Sequence, residues 1–81
     1  MKKEVPRLAK KLRMLRSELR LTQKEVADRA SVTESAYRAY ELGDRNPKPE
    51  VLKRIAAALE VRPEYLSAPV FENRHEFVYA V

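Results

Sequence analysis

Residues 22–41 contain two short helical patterns separated by only a few residues. Thr22 precedes Glu25 by three residues, the capping-box spacing that satisfies free N–H groups at the start of a helix. Thr33 is a second cap residue, at the start of the second pattern. The apolar face of the first pattern consists of Val26, Ala27 and Ala30. Helices this short bury too little surface to be stable alone, so both have to share a core with neighbouring helices.

The spacing of the second pattern separates a buried side from an outward side. The buried side consists of Ala36, Tyr37 and Tyr40. The outward side consists of Glu34, Ser35, Arg38 and Ala39. Ala27 is small, so the second helix can cross close to the first, as in a helix-turn-helix. The outward side of the second helix is then free to enter the major groove of a DNA duplex.

These two helices and their neighbours resemble the lambdoid phage repressor and Cro family of DNA-binding domains, also called XRE-type regulators. The resemblance covers about residues 7–66 and depends on the combined spacing, because a lone Thr-Gln-Xaa-Glu is a weak signal. The matching positions are Arg16, Leu21-Thr22-Gln23, Glu25, Val26-Ala27, Val32-Thr33, Glu41-Leu42-Gly43, Pro47, Leu52, Ile55-Ala56, Ala58-Leu59 and Val61. The resemblance implies an all-α fold, a compact lambda-repressor-like bundle of five helices that includes the helix-turn-helix.

Apolar periodicity predicts five helices, at about residues 6–19, 23–30, 34–42, 49–59 and 62–66. Pro6 and Pro63 suit a first helical position. Gly43, the only glycine, follows the third helix, where a left-handed residue readily ends a helix. The first helix carries basic residues on the side opposite its apolar stripe, where we expect them to face solvent. These residues are Lys10, Lys11, Arg13 and Arg20.

The chain departs from the family pattern at three positions where relatives usually carry glycine. These positions hold Arg20, Ser31 and Glu60. Ser31 lies in the turn between the two helices of the helix-turn-helix. A left-handed conformation at a non-glycine residue costs on the order of 1 kcal/mol, and we expect the fold to tolerate that cost.

Length and composition exclude several classes of protein. A chain of 81 residues predicts one domain, which we place at residues 1–69, followed by a tail at 70–81. The absence of cysteine excludes disulfides and thiolate metal sites, and the single histidine, His75, offers no zinc cluster. We therefore expect neither a metal nor a cofactor. No apolar run is long enough to span a membrane and no signal peptide is recognisable, which predicts a soluble, cytoplasmic protein.

The formal net charge of +5 is concentrated near the N-terminus. Residues 1–24 hold nine Lys or Arg and two acidic residues, whereas the remainder of the chain is slightly acidic. A basic patch is the electrostatic footprint of a protein that binds a polyanion. Solvation of an outer helix face explains the same charges when they are taken alone. Beside the helix-turn-helix pattern, the polyanion is the better explanation.

The starts of the two helices and the loop after the second helix supply candidates for contacts with the DNA backbone. The phosphate candidates are Thr22, Gln23, Thr33, Arg45, Asn46 and Lys48. Gln23 takes the family position that contacts the backbone and braces the recognition helix. Residues 45–48 follow that helix in a loop, where the alternative role is ordinary solvation. The resemblance also implies an ion pair between Arg16 and Glu41, with a structural role in fixing the angle of the recognition helix.

The base-reading candidates are Glu34, Ser35, Arg38 and Ala39, on the outward side of the second helix of the helix-turn-helix. Arg38 can pair with guanine O6 and N7, Glu34 can accept from cytosine N4, and the Ala39 methyl can contact a thymine methyl. Two alternatives stay open at this point. Glu34 is favoured at a helix N-terminus by the helix dipole whatever the protein binds, and Arg38 can equally reach a phosphate.

Three tyrosines recur at the spacing of core positions. These are Tyr37, Tyr40 and Tyr65. A tyrosine in such a position contributes apolar area to the core while its polar end stays in water. We therefore expect packing residues whose hydroxyls reach the surface, rather than platforms on which bases stack.

The tail at residues 70–81 is compatible with two conformations. Asn73 and Glu76 have capping-box spacing, which favours a helix beginning near Arg74. An extended strand would instead place on one side Phe71, Phe77, Tyr79 and Val81. The apolar character of the segment suits docking on its own core, pairing with another subunit, or binding a protein partner.

The sequence lacks a Ser/His/Asp set, a nucleophilic cysteine and a phosphate-binding glycine loop, so we expect no enzyme. The leading hypothesis is a sequence-specific transcriptional regulator that binds double-stranded DNA, a repressor that acts as a homodimer on a palindromic operator. One alternative is an antitoxin that represses its own operon and binds a toxin through the tail. The other is a protein-interaction adaptor that keeps the fold without binding DNA.

Overall fold

The computed structural model describes residues 7–67 of the chain as an all-α bundle, as the sequence predicts. Its helices are α1 (Arg7–Glu18), α2 (Gln23–Ala30), α3 (Glu34–Leu42), α4 (Pro49–Ala58) and α5 (Pro63–Ser67). The predicted bounds are confirmed to the residue for α2 and α3, and to within one residue at each end for the others. Within residues 7–67, every helix is too short or too polar to form a membrane span. His75 and both conformations predicted for the tail lie outside the described residues.

The starts of α2 and α3 carry the threonine caps that the sequence predicts. Thr22 Oγ1 accepts a hydrogen bond from the Glu25 backbone N–H at 3.0 Å, and the Glu25 carboxylate accepts one from the Thr22 N–H at 2.8 Å. This reciprocal pair is a capping box. Thr33 Oγ1 accepts from the Ala36 N–H at 3.0 Å. A cap side chain can accept only from the free N–H groups in the first turn of its helix. The two threonines therefore define where α2 and α3 begin.

The first four helices are each followed by a residue in the left-handed backbone region. The φ angle is 58° at Arg20, 59° at Ser31, 65° at Glu60 and 81° at Gly43. The next residue in each case donates its N–H to the carbonyl five residues earlier, at 3.0 to 3.1 Å, as in a Schellman motif. These donors are Leu21, Val32, Asp44 and Val61.

The left-handed conformation is thus confirmed at Ser31, and it occurs at both other positions where family members usually carry glycine. The residues that follow these three positions, Leu21, Val32 and Val61, also pack against the core. The hydrogen bonds and the apolar contacts together offset the cost of holding a side chain at positive φ.

The core side chains come from all five helices and from the turn after α4. Those that are fully buried in the core cluster are Leu12, Val26, Ala27, Ala30, Tyr37, Ile55, Ala56 and Leu59. Helix α2 packs against both α3 and α4, while α1 packs against α3 and α5. Ala27 is fully buried, which agrees with the close helix crossing that its small side chain permits. Helix α3 is therefore held by α1 and α2, and its remaining side is open.

The expectation that Lys11 faces solvent is wrong. Lys11 is buried, and its Nζ donates to the Tyr65 carbonyl at 2.8 Å and lies 5.1 Å from the centre of the Tyr65 ring. The last carbonyls of a helix lack partners within it, so a lysine with a long apolar stem can reach across from α1 to α5. Burial lowers the pKa of Lys11, while the ammonium keeps these polar contacts.

The expectation that the Tyr37 hydroxyl reaches the surface is also wrong. Tyr37 is fully buried, and its hydroxyl has no partner at hydrogen-bonding geometry in the described part of the chain. The reason is that α1 packs over this part of α3. Helical periodicity predicts which side of α3 is buried, but it does not predict whether the far end of a long side chain is buried too.

Two arginines to which the sequence analysis assigns no role join α2 to α4. Arg54 Nε donates to the Ala30 carbonyl, at the end of α2, at 2.8 Å. Arg29 Nη1 donates to the Ala58 carbonyl, at the end of α4, at 3.3 Å, and lies 3.8 Å from the Glu60 carboxylate. A positive charge at a helix C-terminus is favourable and satisfies free carbonyls. Each helix therefore caps the other, which holds the helix-turn-helix against the rest of the bundle.

We expect Ser31→Gly to raise the free energy of unfolding by about 0.5–1 kcal/mol, because glycine removes the left-handed cost while its larger unfolded-state entropy offsets part of the gain. Ser31→Ala keeps a Cβ at positive φ and should give no gain. Ala57→Gly, at an exposed position inside α4, should lower the same free energy by about 1 kcal/mol. Urea unfolding followed by circular dichroism measures all three variants. An S31G protein no more stable than the wild type would mean that this turn carries no recoverable strain.

Candidate nucleic-acid interface

One side of α3 is open to solvent and carries the residues predicted to read bases. Glu34, Ser35 and Arg38 are exposed, and Ala39 is half-buried. The buried residues of α3 are Tyr37, Tyr40 and Glu41. Because no helix among residues 7–67 covers these four side chains completely, another molecule can approach them without a change in the described bundle.

The residues predicted to contact phosphates lie at the helix starts and in the loop after α3. The exposed members are Thr22, Thr33, Arg45, Asn46 and Lys48, whereas Gln23 is half-buried. The Arg45 guanidinium lies 6.0 Å from the centre of the Tyr40 ring, within cation–π range, which ties the loop to α3. Within residues 7–67 no hydrogen bond or ion pair joins the loop side chains to Gln23 or to the threonine caps.

A buried carboxylate lies beneath the open side of α3. Glu41 has 1% of its side chain exposed and accepts from Arg16 Nε at 2.6 Å and from Arg16 Nη2 at 3.1 Å. Arg16, which is 23% exposed, also donates from Nη1 to the Leu21 carbonyl at 3.0 Å. The structure thus places the two residues of the expected pair in a bidentate ion pair that joins α1 to α3.

Gln23 connects this ion pair to the exposed end of α3. Its Nε2 donates to Glu41 Oε1 at 3.0 Å, and its Oε1 accepts from Arg38 Nε at 3.4 Å. Arg38 Nη2 in turn donates to Glu34 Oε2 at 3.2 Å, one helical turn earlier. One series of hydrogen bonds therefore runs from Arg16 in α1, through the start of α2, to the solvent-exposed face of α3. We call these five residues the polar chain.

The groups at the buried end of the polar chain shift one another's pKa. Burial alone would raise the pKa of Glu41, but the donors around it, Arg16 first, outweigh burial and lower that pKa below its ordinary value. The hydrogen bond to Glu41 raises the pKa of Arg16. Burial raises the pKa of Tyr37, and the Glu41 carboxylate raises it further. At neutral pH the site therefore holds an ionised Glu41, a charged Arg16 and a protonated Tyr37.

The exposed end of the polar chain is held more weakly than its buried end. The side chains of Arg38 and Glu34 are 55% and 42% exposed. An exposed ion pair between residues four apart on a helix contributes only about 0.3–0.5 kcal/mol. This pair therefore orients Arg38 without locking it, and its partners can be exchanged.

The link between Gln23 and Glu41 was not predicted from the sequence, where the family positions give Gln23 and the Arg16–Glu41 pair separate roles. A signal for the link was available. Glu41 falls on the buried side of α3, and a buried carboxylate needs more donors than one arginine supplies. By contrast, nothing in the sequence pattern distinguishes Arg29 and Arg54 from ordinary surface arginines.

Comparison with known proteins agrees with this geometry. A family model described as helix-turn-helix matches residues 12–66, and the chain belongs to this XRE-type helix-turn-helix family. The chain is also 42% identical over 55 residues to the uncharacterized HTH-type transcriptional regulator YqaE of Bacillus subtilis (strain 168). The matched residues make up 68% of this chain and 47% of that relative, so the chain spans about half the length of the curated relative it matches.

We expect Glu41→Gln to lower the free energy of unfolding at neutral pH by about 3 kcal/mol, because the Arg16 guanidinium loses its counter-charge where it is mostly buried. The matched control is Glu64→Gln, which removes an exposed carboxylate from α5 and should change the stability little. Urea unfolding of both variants and of the wild type gives the comparison.

The effect of Glu41→Gln should depend on pH. The pKa of Glu41 is lower in the folded protein than its ordinary value of 4.5, so the unfolded chain takes up the proton first as the pH falls. The carboxylate's contribution is complete above the unfolded pKa and disappears as the pH drops through the folded pKa. The stability difference between the wild type and E41Q should therefore shrink in acid. A difference that stays constant down to about pH 3 would contradict this account.

Proposed function

We propose that this chain is a sequence-specific transcriptional regulator that binds double-stranded DNA as a homodimer and represses genes under its operator. The observation that carries the proposal is the open side of α3, where an exposed Arg38 is oriented by hydrogen bonds to Gln23 and Glu34. Membership of the helix-turn-helix family supports the same role, as does the name of the matched relative.

Base reading would be done by the open side of α3. An α-helix fits the major groove, where each base pair presents a distinct pattern of donors, acceptors and methyl groups. The candidates for contact with base edges are Glu34, Ser35, Arg38 and Ala39, all in the first two turns of α3. Arg38 has the most specific chemistry of the four, because a guanidinium can donate two parallel hydrogen bonds to guanine O6 and N7.

Phosphate contacts would position α3 in the groove. The amide nitrogen of Gln23 has two N–H donors and uses one of them on Glu41, so the other can reach a phosphate while the first braces α3. The exposed loop after α3 offers two cations and an amide at one edge of the bundle. The proposed phosphate ligands are Thr22, Gln23, Thr33, Arg45, Asn46 and Lys48.

A dimer is proposed because one domain of this size reads only a few base pairs. Two copies related by a two-fold axis, with their recognition helices about 34 Å apart, would read a palindromic site of two half-sites. The apolar tail at residues 70–81 is the segment we propose for subunit pairing. Repression would follow because the bound dimer and RNA polymerase compete for the same promoter DNA.

The test of this function is selection from a randomised pool of duplex DNA, with sequencing of the bound fraction at low and at near-physiological salt. We expect enrichment of a palindrome whose half-sites are about 10 base pairs apart, centre to centre. Enrichment of a single, non-palindromic element would retain base reading and contradict the dimer. Binding without enrichment, lost as salt rises, would leave only a non-specific basic surface and overturn the proposal.

Replacing one loop cation should change the salt dependence of binding. We expect Lys48→Ala to weaken binding to all sequences alike and to reduce the slope of log K against log salt by about 0.9, the value for one phosphate contact. Lys53→Ala removes the same charge from an exposed position in α4 and should leave that slope nearly unchanged. Fluorescence anisotropy titrations over a range of salt concentrations measure the slopes. Equal slopes for both variants would remove Lys48 from the proposed interface.

A further inference from the structure

Arg38 is held along one edge of its guanidinium group. The group is a planar fork of five N–H donors. Nε donates to Gln23 Oε1 at 3.4 Å and Nη2 donates to Glu34 Oε2 at 3.2 Å, and these two nitrogens form the same edge of the fork. The edge formed by Nη1 and Nη2 has two parallel donors left, with no partner among residues 7–67. That arrangement matches the two acceptors that guanine presents in the major groove.

The two groups that hold Arg38 differ in charge and in anchorage. Gln23 is neutral, and its amide is tied to the buried Glu41 at 3.0 Å. Glu34 is charged and exposed, in the first turn of α3, where nothing else described in the structure holds it. Gln23 therefore gives Arg38 a fixed position, whereas Glu34 places a negative charge beside Arg38 on the face that would approach DNA.

This negative charge has unequal consequences for the two kinds of DNA contact. Phosphates are available on DNA of any sequence, and they supply most of the non-specific binding. If Arg38 pairs with a phosphate, it must leave Glu34 or bring a second anion close to that carboxylate. If Arg38 pairs with guanine, it uses its other edge and meets a neutral acceptor, so the Glu34 contact can remain. The carboxylate thus penalises the non-specific contact more than the specific one.

We propose that Glu34 is a specificity-determining residue, which acts by holding Arg38 away from phosphates and presenting its free edge to guanine. This inference rests on the proposed function and deepens it. Glu34 lowers the affinity of the protein for DNA in general. In return, it raises the ratio of the affinity for the operator to the affinity for other sequences.

The test is Glu34→Gln, which keeps the size of the side chain and removes its charge. We expect affinity for random duplex DNA to rise about fivefold, because Arg38 is released from its pair with Glu34 and also gains a phosphate contact, and affinity for the selected site to change less than about twofold. The slope of log K against log salt for random DNA should steepen by about 0.9, because Arg38 gains a phosphate. Circular dichroism on each variant verifies that it is folded.

Two further comparisons make the test specific to Arg38. Glu64→Gln raises the net charge by the same amount from α5, and it should leave the ratio of specific to non-specific affinity unchanged. In an Arg38→Ala background, Glu34→Gln should no longer alter that ratio, because a residue that acts through a partner has no effect once the partner is gone.

Each contrary result overturns a different part of the argument. Weaker binding of the E34Q variant to the selected site, with no gain on random DNA, would make Glu34 a direct reader of a base. An equal change in the affinity ratio for E34Q and E64Q would mean that the effect comes from net charge alone. A gain in affinity for random DNA that persists without Arg38 would mean that Glu34 repels phosphate directly. A wild-type protein with no sequence preference would remove the proposed function itself, whereas a preference that E34Q retains in full would overturn this inference alone.

Discussion

The buried carboxylate of Glu41 is the constraint on which the rest of this structure depends. An ionised carboxylate taken out of water is stable only when several donors surround it. Glu41 obtains them from two other helices, two from Arg16 on α1 and one from Gln23 at the start of α2. Three helices therefore meet at one charge, and a shift of any of them would cost that charge at least one of its donors. The angle of α3, on which any reading of DNA depends, is set by this requirement.

Hydrogen bonds at the helix ends also fix the positions of α2 and α3, because each of these bonds forms in only one backbone geometry. The turn between them combines a left-handed Ser31, a bond from Val32 back to the Ala27 carbonyl, and the Thr33 cap. Behind this turn, α2 and α4 cap each other through two arginines. Several hydrogen bonds consequently hold the residues around α3, while the ion pair between Glu34 and Arg38 on α3 itself is exposed. A well-supported helix with an exposed outer face agrees with the proposed reading of DNA sequences by α3.

Much of the fold could be predicted because its signals are local. A threonine three residues before a glutamate defines where α2 begins, and a glycine after Leu42 defines where α3 ends, whatever the other helices do. The XRE-type family could also be identified, because its residues keep their spacing along the chain. The two wrong expectations concern polar groups whose surroundings come from another helix. Lys11 is buried because α5 offers it a carbonyl, and the hydroxyl of Tyr37 is buried because α1 covers it.

The sequence by itself determined the helices, their caps, the apolar side of each helix and the helix-turn-helix family, because each of these depends on residues a few positions apart. Only the tertiary structure decided that Arg16, Glu41, Gln23 and Arg38 come together in the polar chain. These partners are 15 to 25 residues apart in the sequence. A hydrogen bond between such partners depends on where whole helices lie relative to one another, to within a fraction of an ångström. Periodicity along the chain carries no information of that kind, so the orientation of Arg38 emerged only once the helices were packed.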